Sequence, residues 1–218
     1  MYKFDTHVHT SESSNCAHMD AETMIGLYIK AGYGGLCVTD HYDKGTFLAR
    51  GCSSWRGYAD RFLAGYRKAK DCAPAGFVVL LGAEIRLEGS FNDYLLYGVT
   101  EDFLYDHPSL YDYDMKSFSK LTKENGILIF QAHPFRPMMT RQEPKYLDGA
   151  EILNGNPRHD SHNDLAYEFA KKYKLAMSAG SDAHEIEDVG KSGIMTKNKI
   201  ENLEALKSVL TEGAFEII

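Results

Sequence analysis

Residues 2–10 read YKFDTHVHT, a short apolar run that leads directly into a His-x-His pair. In an extended segment, residues i and i+2 point to the same side, so His7 and His9 would present two imidazoles to one point. The pattern recurs, because histidine, aspartate or glutamate follows several other short apolar runs of the chain. The ends of the predicted strands therefore decide both the fold and the position of the candidate site.

Short apolar runs alternate with helical patterns along the whole chain. Strands are predicted at Tyr2–Thr6, Leu36–Thr39, Phe77–Ile85, Tyr94–Val99, Ile127–Gln131, Ala150–Leu153, Ala176–Ala179 and Phe215–Ile217. Helices are predicted at Ala21–Ala31, Tyr58–Asp71, Met115–Glu124, Asn163–Tyr173 and Ile200–Thr211. This alternation is typical of a parallel α/β architecture. By strand count alone, an open doubly wound sheet fits as well as a barrel.

Composition predicts one globular domain over residues 1–218. The apolar fraction of 44% and the charged fraction of 25% are ordinary for globular proteins, which excludes a disordered chain, collagen and a coiled coil. With 24 basic and 31 acidic residues, the formal net charge is −7. This argues against a long nucleic-acid footprint, which usually appears as a basic face. No apolar run approaches the length that spans a bilayer, so no membrane partner is expected.

The four cysteines, Cys16, Cys37, Cys52 and Cys72, form no C-x-x-C pair. We therefore expect no thiolate zinc site and a reduced compartment, with all four thiols buried or idle. The chain enters a strand pattern directly after Met1, without a signal-peptide pattern, which favours a cytoplasmic protein.

Two stretches show no regular pattern, residues 42–57 and residues 134–144. The first is the longer and contains Trp55, the only tryptophan. Long structureless connections inside compact domains tend to be functional lids. We therefore expect residues 42–57 to be an irregular segment of that kind.

Eight potential metal ligands lie close behind predicted strands, namely His7, His9, His18, His41, Glu84, His133, Asp182 and His184. Parallel α/β folds bring the carboxyl ends of their strands to one face, so these side chains are expected to converge. Imidazoles and carboxylates suit Zn, Fe or Mn better than Mg or Ca. Eight ligands exceed the four or five that one metal needs. The set therefore predicts more than one metal, an arrangement suited to in-line displacement at phosphorus.

Several motifs together resemble the PHP (polymerase and histidinol phosphatase) superfamily of metal-dependent phosphoesterases. They are DTHVHT at 5–10, His18, TDH at 39–41, GAE at 82–84, AHP at 132–134, NG at 154–155 and GSDAH at 180–184. Each motif alone has a plain structural explanation, but the set in this order spans nearly the whole chain. The resemblance implies a distorted barrel of about seven β/α units, with a trinuclear site at the carboxyl-terminal face.

The resemblance also implies how the ligands divide among three metals. The groups are His7, His9, Glu84 and Asp182 for the first metal, Glu84 and His133 for the second, and His18, His41 and His184 for the third. Glu84 would bridge the first two metals. The residues predicted to be catalytic are His7, His9, Glu84, Asp182 and His184. The implied cofactor is two or three divalent ions, with Zn, Mn and Fe as the candidates.

A ninth ligand of many relatives is missing from this sequence. It is a histidine at the start of the strand after the glutamate, and an alignment on Tyr97-Gly98 places Asp93 there. A carboxylate is a competent ligand and would favour Mn or Fe somewhat over Zn. The alternative, that Asp93 is a turn residue after Asn92, stays open.

The predicted reaction is hydrolysis of a phosphate ester by a metal-bridging hydroxide, because metal-bound water ionises near neutral pH. No Gly-x-Ser-x-Gly elbow or P-loop suggests a protein nucleophile. The guanidinium fork matches phosphate oxygens, so arginines near the motifs are predicted to bind substrate. Arg136, three residues after His133, is the first candidate, followed by Arg158 and Arg86.

The favoured substrate is a small phosphomonoester, such as a nucleotide, a sugar phosphate or histidinol phosphate. The alternative is an exonuclease or phosphodiesterase that acts on short nucleic acid. Amidohydrolase barrels also begin with His-x-His but typically bridge their metals with a carbamylated lysine, whereas the bridging position here is Glu84. A metal-binding scaffold without activity is the least favoured alternative.

Overall fold

Strands and helices alternate along most of the chain in the computed structural model, which describes residues 1–49, 51–52, 54–107 and 109–218. The strands are β1 (Tyr2–Val8), β2 (Tyr33–Val38), β3 (His41–Tyr42), β4 (Val78–Arg86), β5 (Asp93–Tyr97), β6 (Leu128–Gln131), β7 (Gly149–Asn154), β8 (Ala176–Gly180), β9 (Ile194–Thr196) and β10 (Glu216–Ile217). The α-helices are α1 (Ala21–Lys30), α2 (Lys44–Ala49), α3 (Trp55–Cys72), α4 (Glu101–Asp106), α5 (Met115–Glu124), α6 (Asn163–Tyr173) and α7 (Leu203–Glu212). Short 3-10 turns lie at Leu110–Asp112, Pro144–Tyr146 and Ile186–Asp188.

The strands form one sheet that curls into a nearly closed barrel. Its order is β10-β9-β1-β2-β4-β5-β6-β7-β8, with β3 beside β4. The two ends of the curl meet where the Thr6 hydroxyl donates to the Ala179 carbonyl at 2.9 Å, and a bridge joins Val8 to Ala183 just beyond β8. The predicted barrel is therefore confirmed, and an open doubly wound sheet is excluded.

The sheet is not uniformly parallel, because β5 and β9 run against their neighbours. β1, β2 and β4 are parallel, as are β6, β7 and β8. β5 is antiparallel to both of its neighbours, so the expectation of a parallel sheet is wrong at this strand. The reversal arises because β4 and β5 form a hairpin in which Arg86 pairs with Asp93. As a consequence, the beginning of β5 lies at the face where the other strands end.

Glycine allows the first and last barrel strands to approach closely. A Cβ atom on Gly180, at the end of β8, would lie 2.4 Å from the Cβ of His7. Real carbon atoms do not approach so closely, and only glycine lacks the atom. The strand ends that carry His7 and Asp182 are thereby brought together.

Residues 42–57 are more regular than the sequence indicated. They contain α2, which begins where the Asp43 carboxylate accepts the Thr46 amide at 2.9 Å. They also contain the start of α3, where the Ser54 hydroxyl accepts the Gly57 amide at 3.1 Å. Such side-chain caps satisfy the free amides at a helix start. The prediction of an irregular lid is therefore wrong for these helices, while Arg50 and Ser53 lie outside the described residues.

Within the described ranges, no helix combines the length and the apolar character needed to cross a bilayer.

Candidate metal centre

The end of β1 places two histidines in the middle of a buried polar cluster. His7 and His9 are fully buried, and their Nε2 atoms lie 3.0 Å apart. Glu84 Oε2 lies 3.6 Å from His7 Nε2 and 3.3 Å from His9 Nε2. Asp182 Oδ1 lies 3.4 and 3.3 Å from the same two nitrogens. Two imidazoles and two carboxylates thus lie around one centre. They are the four residues that the resemblance assigned to the first metal.

Glu84 faces a second group with its other oxygen. Glu84 Oε1 lies 3.0 Å from His133 Nε2, and Asp93 completes a set of three donors within 4.8 Å of one another. Glu84 is the only residue shared by this group and the first among those described. Its two oxygens therefore point to two adjacent centres, which is the geometry of a bridging carboxylate.

Asp93 lies in β5 rather than in a turn. It is the first residue of that strand and is buried. Arg86, its pairing partner across the hairpin, donates to both carboxylate oxygens at 2.7 Å. The reversed direction of β5 thus brings Asp93 to the carboxyl-terminal face, where it lies in the group with Glu84 and His133.

The third group contains His9, His41 and His184. The His9 ring centroid lies 4.4 Å from that of His41 and 4.2 Å from that of His184. His18, expected in this group, is not brought into it. Its side chain is 69% exposed, and its Nδ1 pairs with the carboxylate of Glu185. The structure therefore does not bring His18 to this group, because its ring turns outward, and its role as a ligand stays a prediction.

Cys16 lies beside the third group at the edge of the same cavity. The residue is exposed, and His41 and His184 line the same cavity. Burial by itself would raise the pKa of this thiol, but the neighbouring imidazoles of His184 and His41 lower the pKa to about 6. Sequence analysis took this cysteine to be idle, because no other cysteine is near it in the chain.

Two buried atoms of the cluster make no hydrogen bond within the described part of the chain, Glu84 Oε2 and His133 Nδ1. Buried polar atoms without partners are costly and rare in native proteins. Glu84 Oε2 nevertheless has imidazole nitrogens of His41, His9 and His7 at 3.0, 3.3 and 3.6 Å. A divalent cation among these donors would satisfy the oxygen and bind imidazoles and carboxylates together. The residues therefore fit a metal centre.

The charge states of the first group suit a cation. Burial raises the pKa of Glu84, but the nearby rings of His7 and His41 hold that pKa well below its usual range. The pKa of Asp182 is likewise low, because the effect of burial is outweighed by His7 and by a hydrogen bond from His9. The pKa of His9 is lowered well below its usual value by burial and by neighbouring imidazoles. Metals bind ionised carboxylates and neutral imidazole, and the shifts of Glu84, Asp182 and His9 favour those forms. Burial lowers the pKa of His7, but Glu151, Asp182 and Glu84 raise that pKa well above its usual value, so a metal would have to displace the Nε2 proton of this ring.

Glu151 of β7 is a site residue that sequence analysis missed. Its Oε1 accepts His7 Nδ1 at 2.8 Å, and its Oε2 accepts the His133 amide at 3.0 Å and Asn154 Nδ2 at 2.9 Å. With Nδ1 protonated, His7 directs the Nε2 lone pair to the cluster, as is usual for metal-binding histidines. The available signal was an acidic residue within an apolar strand, which is unusual unless the carboxylate has buried partners.

Asp40 has a supporting role next to the predicted ligand His41. Its carboxylate accepts the Thr10 amide, the Thr10 hydroxyl and the Ser14 hydroxyl, each at 2.7 Å. Burial raises the pKa of Asp40 to about 6, although these hydrogen bonds by themselves lower that pKa. Asp40 thus fixes the loop that follows β1 against the end of β2.

The cluster forms the floor of a cavity of about 340 Å³. Arg136, a predicted substrate-binding arginine, contacts the Asp182 carboxylate of the first group directly. Its Nη2 donates to Asp182 Oδ2 and to Asn154 Oδ1, both at 2.9 Å. The side chain is only 13% exposed. These bonds fix the guanidinium beside the first group with part of its edge towards the cavity.

Arg86 and Arg158 also line this cavity. Arg86 is paired with Asp93 as described above, and Arg158 donates to both oxygens of Asp188 at 2.7 and 2.6 Å. All three predicted arginines are therefore brought to one cavity, and each is already paired with a carboxylate. An anion that enters the cavity has to share these arginines with their carboxylate partners or replace the carboxylates.

Comparison with known proteins finds a family model and a relative that match part of the sequence. Residues 160–215 match the family model described as PHP-associated. An uncharacterised protein of Methanocaldococcus jannaschii is 36% identical over 83 residues, which cover 33% of this chain and 35% of that protein. The match thus spans about a third of the length of that curated relative.

Three solved structures share the fold. PsfC from Pseudomonas syringae superposes with a TM-score of 0.70 at 16% identity, covering 100% of this chain and 91% of PsfC. A two-domain protein from Bacteroides vulgatus that contains a predicted PHP-like metal-dependent phosphoesterase gives 0.65 at 18% identity, with 100% and 64% covered. The lesion-specific endonuclease PfuEndoQ from Pyrococcus furiosus gives 0.64 at 16% identity, with 99% and 57% covered.

The distorted barrel and the converging ligand groups define a barrel with a candidate metal centre. Its fold is similar to that of these three structures, and its residues 160–215 are similar to the PHP-associated family.

Proposed function

We propose that this protein is a metal-dependent phosphoesterase that hydrolyses a small phosphomonoester. The observation that carries the proposal is the position of Glu84, whose two carboxylate oxygens face two adjacent ligand groups. Adjacent divalent ions, when bound, lower the pKa of water and neutralise charge on phosphoryl oxygens. The first position would be held by His7, His9, Glu84 and Asp182, and the second by Glu84, His133 and Asp93.

The chain's own residues would orient the phosphate. Arg136 is held by Asp182 and Asn154 next to the first group, which places a fixed positive charge beside the reacting phosphorus. Arg86 and Arg158 lie at the same cavity and would contact the rest of the substrate. A guanidinium binds phosphate oxygens through paired hydrogen bonds, so these three side chains favour an anionic ligand.

The cavity favours a small substrate. Its volume of about 340 Å³ is at the lower end of the range for small-molecule sites, and the formal net charge of the chain is −7. Of the described residues that line it, none is a lysine, which disfavours an amidohydrolase bridge. The second candidate is hydrolysis of a phosphodiester in short nucleic acid, favoured by the structural likeness to the endonuclease PfuEndoQ.

The test is phosphate release from a panel of phosphomonoesters, after the protein is stripped with a chelator and reloaded with Mn²⁺, Fe²⁺ or Zn²⁺. Chelator-sensitive release is expected, and Glu84→Gln should abolish it. Glu168→Gln, which alters an exposed glutamate of α6, is the matched control and should behave like the unmodified protein.

A labelled oligonucleotide assayed in parallel separates the two candidates. Shortening of the oligonucleotide without release from any monoester would contradict the phosphomonoester proposal and support the second candidate. No turnover of either substrate, with bound metal confirmed, would contradict both.

A further inference from the structure

A fully buried polar network lies beside the first ligand group. Its members are Asp5 of β1, Tyr28 of α1 and Ser181, which directly follows β8. The Tyr28 hydroxyl donates to Asp5 Oδ2 at 2.7 Å and lies 2.8 Å from Ser181 Oγ. Of the described residues that line the cavity, none belongs to this network. Its role is therefore separate from contact with a substrate.

The network is bonded to the backbone on both sides of the first group. Asp5 Oδ1 accepts the His7 amide at 3.1 Å and the Ser181 amide at 3.0 Å. His7 belongs to the first group, and Ser181 directly precedes Asp182, another member. One carboxylate thus joins the two chain segments that carry these ligands, while the Tyr28 hydroxyl holds its second oxygen.

The backbone at Asp182 needs such support. Its φ angle is +52°, in the left-handed region that residues with a side chain rarely adopt. A conformation of this kind persists where the surrounding structure fixes it. The Asp182 amide donates to the His7 carbonyl at 2.8 Å, and the Asp182 carbonyl accepts Asn156 Nδ2 at 3.0 Å. The bond from the Ser181 amide to Asp5 fixes the preceding residue.

Tyr28 reaches the network from outside the seam at which the barrel closes. β1 and β8 lie on the two sides of that seam, where Thr6 donates to Ala179. The Tyr28 ring packs in an apolar cluster with Leu36 and Val38 of β2, and β2 is paired with β1. The position of the hydroxyl is therefore set by α1 and β2, independently of β8.

We propose that Tyr28 is a positioning residue of the metal centre, whose hydroxyl acts through Asp5 and Ser181 to hold His7 and Asp182 in register. Asp182 Oδ1 lies 3.4 Å from His7 Nε2. Functional groups of a site have to be held within about 0.5 Å of their productive geometry. Without the hydroxyl, the two strand ends are less firmly fixed, and an ion between them binds more weakly.

This inference rests on the proposed metal centre but not on the identity of the substrate. Its test is the affinity of the metal-free protein for Zn²⁺, measured by competition with a chelator of known affinity. Tyr28→Phe removes the hydroxyl and keeps the ring in its cluster. Changes to groups that orient ligands typically reduce metal affinity by 10–100-fold, and a loss of about 10-fold is expected here because Tyr28 acts through a further bond.

Tyr33→Phe is the matched control. Tyr33 of β2 is also buried, and its ring lies 5.1 Å from that of Tyr28. Its hydroxyl donates to the Ser192 carbonyl at 3.0 Å, so the variant removes a buried hydrogen bond next to the network but outside it. The Zn²⁺ affinity of Tyr33→Phe should equal that of the unmodified protein. A role confined to packing would lower Tm in both variants and change the affinity in neither.

Ser181→Ala tests the same connection from the other side. Residues of one hydrogen-bond network are coupled, so the loss of affinity in the double variant with Tyr28→Phe should be smaller than the product of the two single losses. An unchanged affinity in Tyr28→Phe, an equal loss in Tyr33→Phe, or a double loss equal to that product would overturn the inference.

Phosphate release by the unmodified protein is measured separately from these affinities. Chelator-sensitive release together with an unchanged Zn²⁺ affinity in Tyr28→Phe would overturn the positioning role alone. Absence of release, with the expected loss of affinity in Tyr28→Phe, would overturn the proposed phosphoesterase function alone. An unmodified protein that binds no Zn²⁺ would overturn the positioning role together with the metal centre.

Discussion

His7 Nδ1 donates to Glu151 Oε1 at 2.8 Å, and both side chains are fully buried. The bond joins the end of β1 to the middle of β7, on opposite sides of the point where the barrel closes. It fixes which nitrogen of His7 faces the ligand groups. Glu151 is thus a positioning residue, because it acts on the proposed metal through His7.

The first prediction concerns this bond. Glu151→Gln preserves the size of the side chain but removes the charge that holds the proton on His7 Nδ1. Changes to such partners typically reduce metal affinity by about 10–100-fold, and a loss of that size is expected in a chelator competition titration. Glu168→Gln should leave the affinity unchanged. Equal affinities in both variants would contradict the positioning role.

The second prediction concerns Asp93 and tests whether it is a ligand. Asp93→Asn should reduce metal content after dialysis against an equimolar Zn²⁺ and Mn²⁺ mixture, because a neutral amide is a weaker ligand than a carboxylate. Asp93→His should restore the content and shift it towards Zn²⁺, since imidazole is the softer ligand. Full metal content in Asp93→Asn would show that Asp93 serves only to hold Arg86.

The third prediction concerns Arg136 and substrate binding. Arg136→Gln removes a charged donor, and hydrogen bonds to charged groups contribute about 1.5–3 kcal/mol. KM for phosphomonoesters should therefore rise by about 10–100-fold, measured by initial rates with the metal-loaded protein. Arg141→Gln, which alters an exposed arginine, is the control. An unchanged KM would remove Arg136 from the substrate site.

The fourth prediction concerns the stability of α5. Its cap is Asp114, which accepts the Ser117 amide at 3.0 Å, and this bond and the Ser117 hydroxyl lower the pKa of Asp114 below 3.8. A carboxylate with a lowered pKa in the folded state stabilises the protein above pH 3.8, and the stabilisation is lost as the pH falls through the folded value. Asp114→Ala should therefore lower Tm by about 2–4 °C at pH 7.

The difference in Tm between Asp114→Ala and the unmodified protein should shrink as the pH falls below about 3.8. Asn202→Ala, which removes the cap of α7, is the matched control, because its amide does not titrate and its effect should not follow that curve. A Tm difference for Asp114→Ala that stays constant across this pH range would contradict the argument.

The ligands that sequence analysis brought together correctly lie directly at strand ends. His7 lies in β1, His9 follows that strand directly, and Glu84 lies in β4, so strand periodicity orients them. His18 lies in the loop before α1, where no periodicity orients a side chain. Its direction depends on Glu185, a contact across the fold. The loop brings Cys16 to the cavity while His18 points outward, and nothing in the local sequence distinguishes the two orientations.

The sequence pattern also did not predict the direction of β5. Apolar runs predict that a strand exists but not which way it runs, and α/β alternation favours parallel strands. The connection between β4 and β5 is short and holds no helix, which is typical of an antiparallel hairpin. Glu151 was missed for a related reason, because two of its partners, His7 in β1 and His133 after β6, are distant in sequence.

The hairpin has a consequence for the order in which the centre assembles. Arg86 and Asp93 are separated by 7 positions, and Glu84 and His133 by 49. In contrast, the bond between Thr6 and Ala179 that closes the barrel joins residues 173 positions apart. Contacts between near neighbours cost less loop-closure entropy and form faster. We therefore expect the half of the site around Asp93 to form before the half around His7 and Asp182, which requires the two ends of the chain to meet.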